Sequence, residues 1–329
     1  MNQSSLSKSS QIIHFILNYN QLGKVINILN DAVLSNQWDI VVVKLNQQKD
    51  YIEKRRSVRI RRSKLLQATE NIEYKIASST EELEEAFELV TQQYLSTGLH
   101  TKEHELRVTK FHLLPDSKVF IAIKKTAGEK DRVIGTLTMI LDSAMGLPMD
   151  EIYHQQLNRM RVSGLEMAEV ICLAVSPAQS NLQNNIVMYL YKICLQFLRY
   201  TEVNEILCTV KQKHSPFYED LLLFKPIGEL VAYSYANGMI IQGYKLNINL
   251  AIKEFKQVYS GMEFDADLHR FFFTETRKFN RPYGKGDAMT IEQLRYFIEK
   301  RTKLISSLSN KDMNILRDEF SAQDKVFAY

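Results

Sequence analysis

The chain has 329 residues, 45% of them hydrophobic, with 42 Lys and Arg against 38 Asp and Glu and a formal net charge of +4. This is the composition of a globular protein, and the surplus of positive charge is too small to mark nucleic acid as the main partner. Cys172, Cys194 and Cys208 all lie in apolar runs, with no CxxC or Cys/His spacing, which speaks against a disulfide framework or a zinc site and for a reducing cytoplasm.

The N-terminal stretch MNQSSLSKSSQIIHFILNYN lacks both a long apolar core and a small-residue cleavage site. No run of roughly 18 apolar residues occurs, so no membrane span is expected. Residues 1 to about 50 carry the only tryptophan, Trp38, and read as a short helical or mixed extension. The basic run EKRRSVRIRRSK follows and marks the boundary with the main domain. YKIASSTEELEEAFELVTQQYLSTG predicts a short strand and then a helix: Ser79 and Glu82 form a capping box, Leu83, Phe87, Val90 and Tyr94 keep helical spacing, and Gly98 is the stop. KVFIAIKK and VIGTLTMILD, joined by TAGEKDR, predict an antiparallel hairpin, and LPMDEIYHQQLNRMR a short helix.

MAEVICLAVSP predicts a strand buried on both faces. An apolar helical face from Leu182 to Leu198 and the strand EILCTV complete a parallel β-α-β unit. SPFYEDLLLF reads as a short helix and MIIQGYKLNI as the strand that closes the sheet. Beyond about residue 250 strand signals stop; TIEQLRYFIEKRTKLISSL, opened by Thr290, and DMNILRDEF read as helices, with NRPYGKGD as the loop before them. The expectation is an α/β (α+β) mixed sheet with flanking helices, divided into a 1–70 extension, a 71–250 main domain and a 251–329 helical extension.

Glu169 stands inside the most apolar of these strands. A buried carboxylate must be paired, stay protonated, or serve a reaction as a base. The structural alternative, a Glu paired with a core Arg or Lys, stays open at this point. Cys172 has no His near it in sequence and reads as a buried small hydrophobe.

VIGTLTMILDSAMGLPMDEIY, AEVICLAVSP and VKQKHSPFYEDLLLFKPIGE, in this order and spacing, resemble the corresponding segments of long-chain N-acyl amino acid synthases of the FeeM type, from about Tyr74 to Asn249. The C-terminal TIEQLRYFIEKRTKLISSLS resembles the helical tail of such proteins. The family has the GNAT-like acyltransferase fold and is related to acyl-homoserine lactone synthases. The resemblance implies a bacterial cytoplasmic enzyme that moves a long-chain acyl group from acyl carrier protein to the amine of an amino acid. Its co-substrate would be acyl-phosphopantetheine on the carrier protein, with no bound cofactor and no metal.

The same resemblance implies the site. Glu169 becomes the base for the attacking amine, directly or through a water. Backbone amides at Leu173, Ala174 and Val175, freed by a bulge, would hold the thioester carbonyl. Tyr218 would serve the leaving thiolate as acid, with His214, Phe217, Asp142 and Ser143 around the substrate. His214 as a helix-start residue, Phe217 as packing, and Asp142, Ser143 and Asp150 as turn chemistry are the structural alternatives. Acyl-CoA enzymes of the fold cradle pyrophosphate in a Gly-containing loop; here QSNLQN keeps Gln179 but places Leu182 and Asn184 at the glycine positions, which favours a carrier-protein donor. Where lactone synthases carry Ser-Arg after the glutamate, this chain has Ile171 and Cys172.

Arg55, Arg56, Arg59, Arg61, Arg62 and Lys64 admit three readings: a solvated basic segment, a docking surface for acidic carrier protein, or cyclic-dinucleotide binding through the R-x-x-x-R spacing, whose companion D/N-x-S-x-x-G motif is missing. Peripheral membrane contact is a variant of docking. The competing functions are a lactone-synthase-like or other amine N-acyltransferase, and a non-catalytic acyl or lipid sensor that binds in a GNAT-like pocket without turnover.

Overall fold

The computed structural model of the chain describes residues 38–98, 106–274 and 289–323. The expectations for residues 1–37 and for NRPYGKGD lie outside the described residues. Helix α1 (Trp38–Arg62) contains the basic run. It ends in a Schellman motif: Leu65 N–H donates to Ile60 O and Lys64 N–H to Arg61 O, with Lys64 left-handed at φ 49°. Ile60 and Leu65, the apolar pair of that motif, are buried in the main core, so the end of α1 is part of the domain's packing.

Strand β1 (Ile72–Ile76) and helix α2 (Thr80–Ser96) follow, α2 opened by the Ser79/Glu82 capping box as expected. Strands β2 (Lys118–Lys124) and β3 (Arg132–Leu141) form the antiparallel hairpin. Next come helix α3 (Asp150–Val162), strand β4 (Met167–Val175), helix α4 (Gln183–Leu198) and strand β5 (Glu205–Lys211). SPFYEDLLLF contributes one wide helical turn, Phe217–Leu221.

The sheet does not close on MIIQGYKLNI as expected. KPIGELVAY forms a strand of its own, β6 (Lys225–Tyr233), and the closing segment is β7 (Met239–Asn247), inserted between β5 and β6 in the order β1-β2-β3-β4-β5-β7-β6. Asn237 and Gly238, both left-handed, turn the β6–β7 hairpin. Helix α5 (Ile248–Tyr259), helix α6 (Ile291–Arg295, continued by a wide turn to Arg301) and helix α7 (Asn310–Gln323) complete the described chain. Thr290 opens α6 through a capping box with Gln293.

Alternation along the strands sorts these helices onto two faces. On one face, Phe120, Leu137, Ala168 and Val170 pack with Ile60 of α1, Ile186 and Leu190 of α4 and Phe255 of α5. On the other, Val119, Ile121 and Ile140 pack with Phe87 of α2, Tyr153 and Leu157 of α3 and Phe297 beyond α6. Tyr153 presses so closely on the β6–β7 ribbon that a Cβ at Gly243 would meet its ring at 2.5 Å. No described helix is long and apolar enough to cross a membrane.

Two irregularities in the middle of this sheet create the site. The β3–β4 register slips between Thr138↔Ile171 and Thr136↔Ala174, a bulge in β4 where Cys172 adopts φ 53°. The parallel pairing of β4 with β5 runs only from Met167↔Glu205 to Val170↔Cys208. Beyond it the two strands part, while β5 stays paired with β7 along its whole length.

Candidate active site

A cavity of about 460 Å³ occupies the parting of β4 and β5. It is lined from one face by Arg59 and Ser63 of α1 and its end, Asn184 and Val187 of α4, and from the other by Tyr94 of α2, Arg107, Thr109, Phe111 and Pro148. The cavity therefore runs through the sheet, and the bulged half of β4 from Glu169 to Val175 forms its floor. The backbone of β4 on the side no longer paired to β5 faces this space, which is where an oxyanion site requires its amides.

Glu169 is completely buried and lines the cavity. Oε2 accepts the Met149 N–H at 2.7 Å, whereas Oε1 has no hydrogen-bond partner among the described residues. Burial raises its pKa to about 8; the Met149 amide opposes this, and the nearby Asp150 and Asp142 add to it. The expected alternative of a core Arg or Lys partner is not what the structure contains: no described salt bridge involves Glu169. A carboxyl of this kind can exchange a proton with a ligand near neutral pH.

Asp142 and Asp150 sit close by in the opposite situation. Arg161 forks onto both, with Nε to Asp142 Oδ2 at 2.6 Å and Nη1 to Asp150 Oδ1 at 2.7 Å. Burial alone would raise the Asp150 carboxyl, but Arg161 and the Leu147 N–H hold it below its ordinary value. Ser143 Oγ accepts the Met145 N–H. Asp142 and Ser143, expected around the substrate, lie outside the cavity lining and instead build the GLPMD turn, which delivers the Met149 amide to Glu169.

Tyr218 is buried and lines the cavity, and its hydroxyl accepts a hydrogen bond from Tyr191 at 3.2 Å. Burial drives its pKa far up, so at neutral pH it is a neutral donor. Phe217 and His214 line the cavity as well, together with Leu173, Ala174 and Val175. The Cys172 thiol is buried and pushed up to about 11 by desolvation, which suits packing and not a nucleophile.

Of the basic run, Arg59 alone reaches the cavity, donating also to Pro216 O at 3.2 Å. Arg55, Arg59 and Arg62 share one helix face by their spacing and are exposed, and Lys64 lies exposed just beyond the helix. Arg61 pairs with Glu263 at 2.5 Å and Arg59 lies 3.8 Å from Asp220, both at the exposed surface, whereas Arg56 is buried and lies outside an open docking face. Asn185, near the start of α4, donates to Lys64 O, Leu65 O and Gln67 O, fixing the end of α1 against the cavity rim. Tyr94, Arg107 and Tyr191 also line the cavity, and nothing in their sequence spacing singles them out.

A mixed seven-stranded sheet with a bulged central strand, a parting beside it and helices on both faces is the GNAT-type acyltransferase fold. Residues 85–247 match the family model described as N-acyl amino acid synthase FeeM. The chain is similar to that family over these residues and is an acyltransferase. Among solved structures, FeeM, an N-acyl amino acid synthase from uncultured soil microbes, is 26% identical over 56% of this chain and 94% of its own, with a TM-score of 0.49. An acyl-CoA N-acyltransferase from Pseudomonas aeruginosa matches at 12% identity over 53% of this chain and 98% of its own, TM-score 0.36. An N-acetyltransferase from Staphylococcus aureus Mu50 matches at 14% over 54% and 99%, TM-score 0.37. No curated protein matches the chain.

Proposed function

We propose that this N-acyltransferase takes a long-chain acyl group from the phosphopantetheine thiol of acyl carrier protein and transfers it to the amine of an amino acid. The observation that carries the reading is Glu169: a fully buried carboxyl with one free oxygen, raised to about 8, at the floor of a cavity that passes through the sheet. An amine entering from the α2 side gives its proton to Glu169, directly or through a water, and attacks the thioester carbon. The carbonyl oxygen takes up negative charge beside the β4 amides at Leu173 to Val175, and collapse breaks the C–S bond. Tyr218, too weakly acidic to surrender its proton fully, supports the departing thiolate as a hydrogen-bond donor.

The acyl donor enters from the α1–α4 side. Leu182 and Asn184 stand where glycines would let backbone approach a diphosphate, and Asn184 lines the cavity. Arg55, Arg59, Arg62 and Lys64 form a cationic strip leading to the rim, complementary to an acidic carrier protein. Of that strip, Arg59 alone lines the cavity.

Mass spectrometry on the purified protein incubated with long-chain acyl carrier protein and the common amino acids, beside Glu169→Gln, tests the reading. An N-acyl amino acid from the wild type alone supports it. Acyl carrier protein left unchanged by both would point to a sensor that binds acyl chains without transferring them.

A further inference from the structure

Helices α6 and α7 lie beyond the residues that match the family model, yet they pack on the wall of the cavity. α6 and its wide turn are tied to α2 and the residues that open it. Gln293 Nε2 donates to Ser78 O, Tyr296 Oη to Glu84 Oε1 and Arg301 Nη2 to Glu88 Oε1, each at 3.0 Å. Phe297 is fully buried and meets the Phe87 ring edge-on at 5.1 Å. α7 reaches the segment after α2, where Lys110 Nζ donates to Asp312 Oδ1 at 2.7 Å.

That ion pair stands one residue from the cavity. Lys110 opens a short helical turn, Lys110–Leu113, in which Phe111 lines the cavity on its α2 side. The Lys110 ammonium also lies over the Phe111 ring, 5.3 Å from the centroid, so Asp312, Lys110 and Phe111 form a chain from α7 to the wall. Behind the wall, Phe111 shares one apolar cluster with Leu294 of α6, Leu316 of α7 and Met149, whose amide holds Glu169. Asp312 is itself fixed: Ser309 N–H donates to its Oδ2 and its own N–H donates to Ser309 Oγ, a capping box that opens α7. Burial works against its ionised form, but Lys110 and Ser309 hold the carboxyl down to about 2. The core shared by α1 and α4, on the other side of the cavity, contains no described residue of α6 or α7.

We infer that Asp312 is a positioning residue for the acceptor: through Lys110 it holds Phe111 in the cavity wall, so that the C-terminal helices set acceptor affinity without touching the acceptor. A single tight turn has too few hydrogen bonds of its own to keep a large ring in one place. A cation caught between a carboxylate and the ring face fixes the turn from outside, and a wall already in place costs the acceptor less to bind. Because α6 and α7 brace only the α2 side, their influence falls on the acceptor and spares the acyl donor. The inference rests on the acyl transfer proposed above and adds a part of the chain outside the family match to the machinery that selects the acceptor.

Two measurements on the full chain test it: steady-state kinetics with long-chain acyl carrier protein and the amino acid the wild type acylates fastest, and hydrogen–deuterium exchange. The proteins are wild type, Lys110→Met, Lys110→Arg, Asp312→Asn and the Lys110→Met/Asp312→Asn double variant; asparagine keeps an acceptor for the Ser309 cap. Lys110→Met should raise the acceptor KM about 10-fold and Asp312→Asn about 5-fold, with kcat and the KM for carrier protein within about 2-fold of wild type. The double variant should be no worse than Lys110→Met, and Lys110→Arg should keep most of the wild-type affinity. Amides of residues 107–114 should exchange about 10-fold faster in Lys110→Met and Asp312→Asn, with those of α1 and α4 unchanged. An unchanged acceptor KM in Lys110→Met, losses that add in the double variant, or a loss that falls alike on both substrates would overturn the inference with the acyl-transfer reading intact. A wild type that acylates no amino acid overturns that reading, and exchange then decides the brace by itself: unchanged exchange over residues 107–114 contradicts it.

Discussion

Two acidic sites stand side by side on one face of this sheet and have been given opposite surroundings. Asp142 and Asp150 share the fork of Arg161 in a structural clamp, which holds the Asp150 carboxyl below its ordinary value against its own burial. Glu169 has no cation partner among the described salt bridges, one amide hydrogen bond, and no exposure at all. The same functional group is a brace in one place and a proton acceptor in the other, and the difference is made by desolvation and a single arginine. The two are also coupled, because the clamped turn supplies the Met149 amide that orients Glu169.

The largest expected effect comes from the unclamped acid. Glu169→Gln should fold normally and lose roughly 100- to 10,000-fold in kcat, read from single-turnover acyl transfer. Breaking the clamp comes next: Arg161→Met leaves two carboxylates that are mostly buried without a cation and should cost about 3 kcal/mol in denaturant unfolding, with slower transfer as the Met149 amide shifts. If Arg161→Met left stability unchanged, the contrast between the two sites would lose its physical basis.

The third prediction concerns pH. Because burial holds Glu169 above its unfolded value of 4.5, its protonated form stabilises the folded state; that contribution is complete below pH 4.5 and is lost as pH rises through about 8. Between those limits the stability of the wild type relative to Glu169→Gln should fall by about 1.4 kcal/mol per pH unit, measured by urea midpoints across the range. The smallest effect is at the rim, where Arg59→Ala should raise the KM for acyl carrier protein about 5-fold, less at high salt, with kcat retained.

Most of the element order could be read from the chain, since capping boxes at Ser79 and Thr290 and clean apolar periodicities marked their elements. Strand β6 escaped because KPIGELVAY is mostly exposed and has little apolar alternation, as an edge strand can afford. The signal that would have found it is Asn237–Gly238, a dipeptide suited to a tight hairpin turn. Glu169 was conspicuous because a charge in an apolar strand contradicts its surroundings. Asp142 and Ser143 were drawn into the site by a motif whose role is to shape a turn, and only the fork of Arg161, remote in sequence, reveals it. Tyr94 and Arg107 were silent for the opposite reason. Their roles come from where the bulge at Cys172 and the parting of β4 from β5 place the cavity, and neither irregularity has a marker in residue type.

The central claim is that Glu169 is a carboxyl poised by burial to accept a proton near neutral pH. Difference infrared spectroscopy of wild type against Glu169→Gln, titrated with acid and base, reads that carboxyl directly. The account predicts a protonated-carboxyl band that disappears with a midpoint near 8, in step with the rise of the acyl-transfer rate. A carboxyl already ionised above about pH 5, as an ordinary glutamate would be, contradicts it.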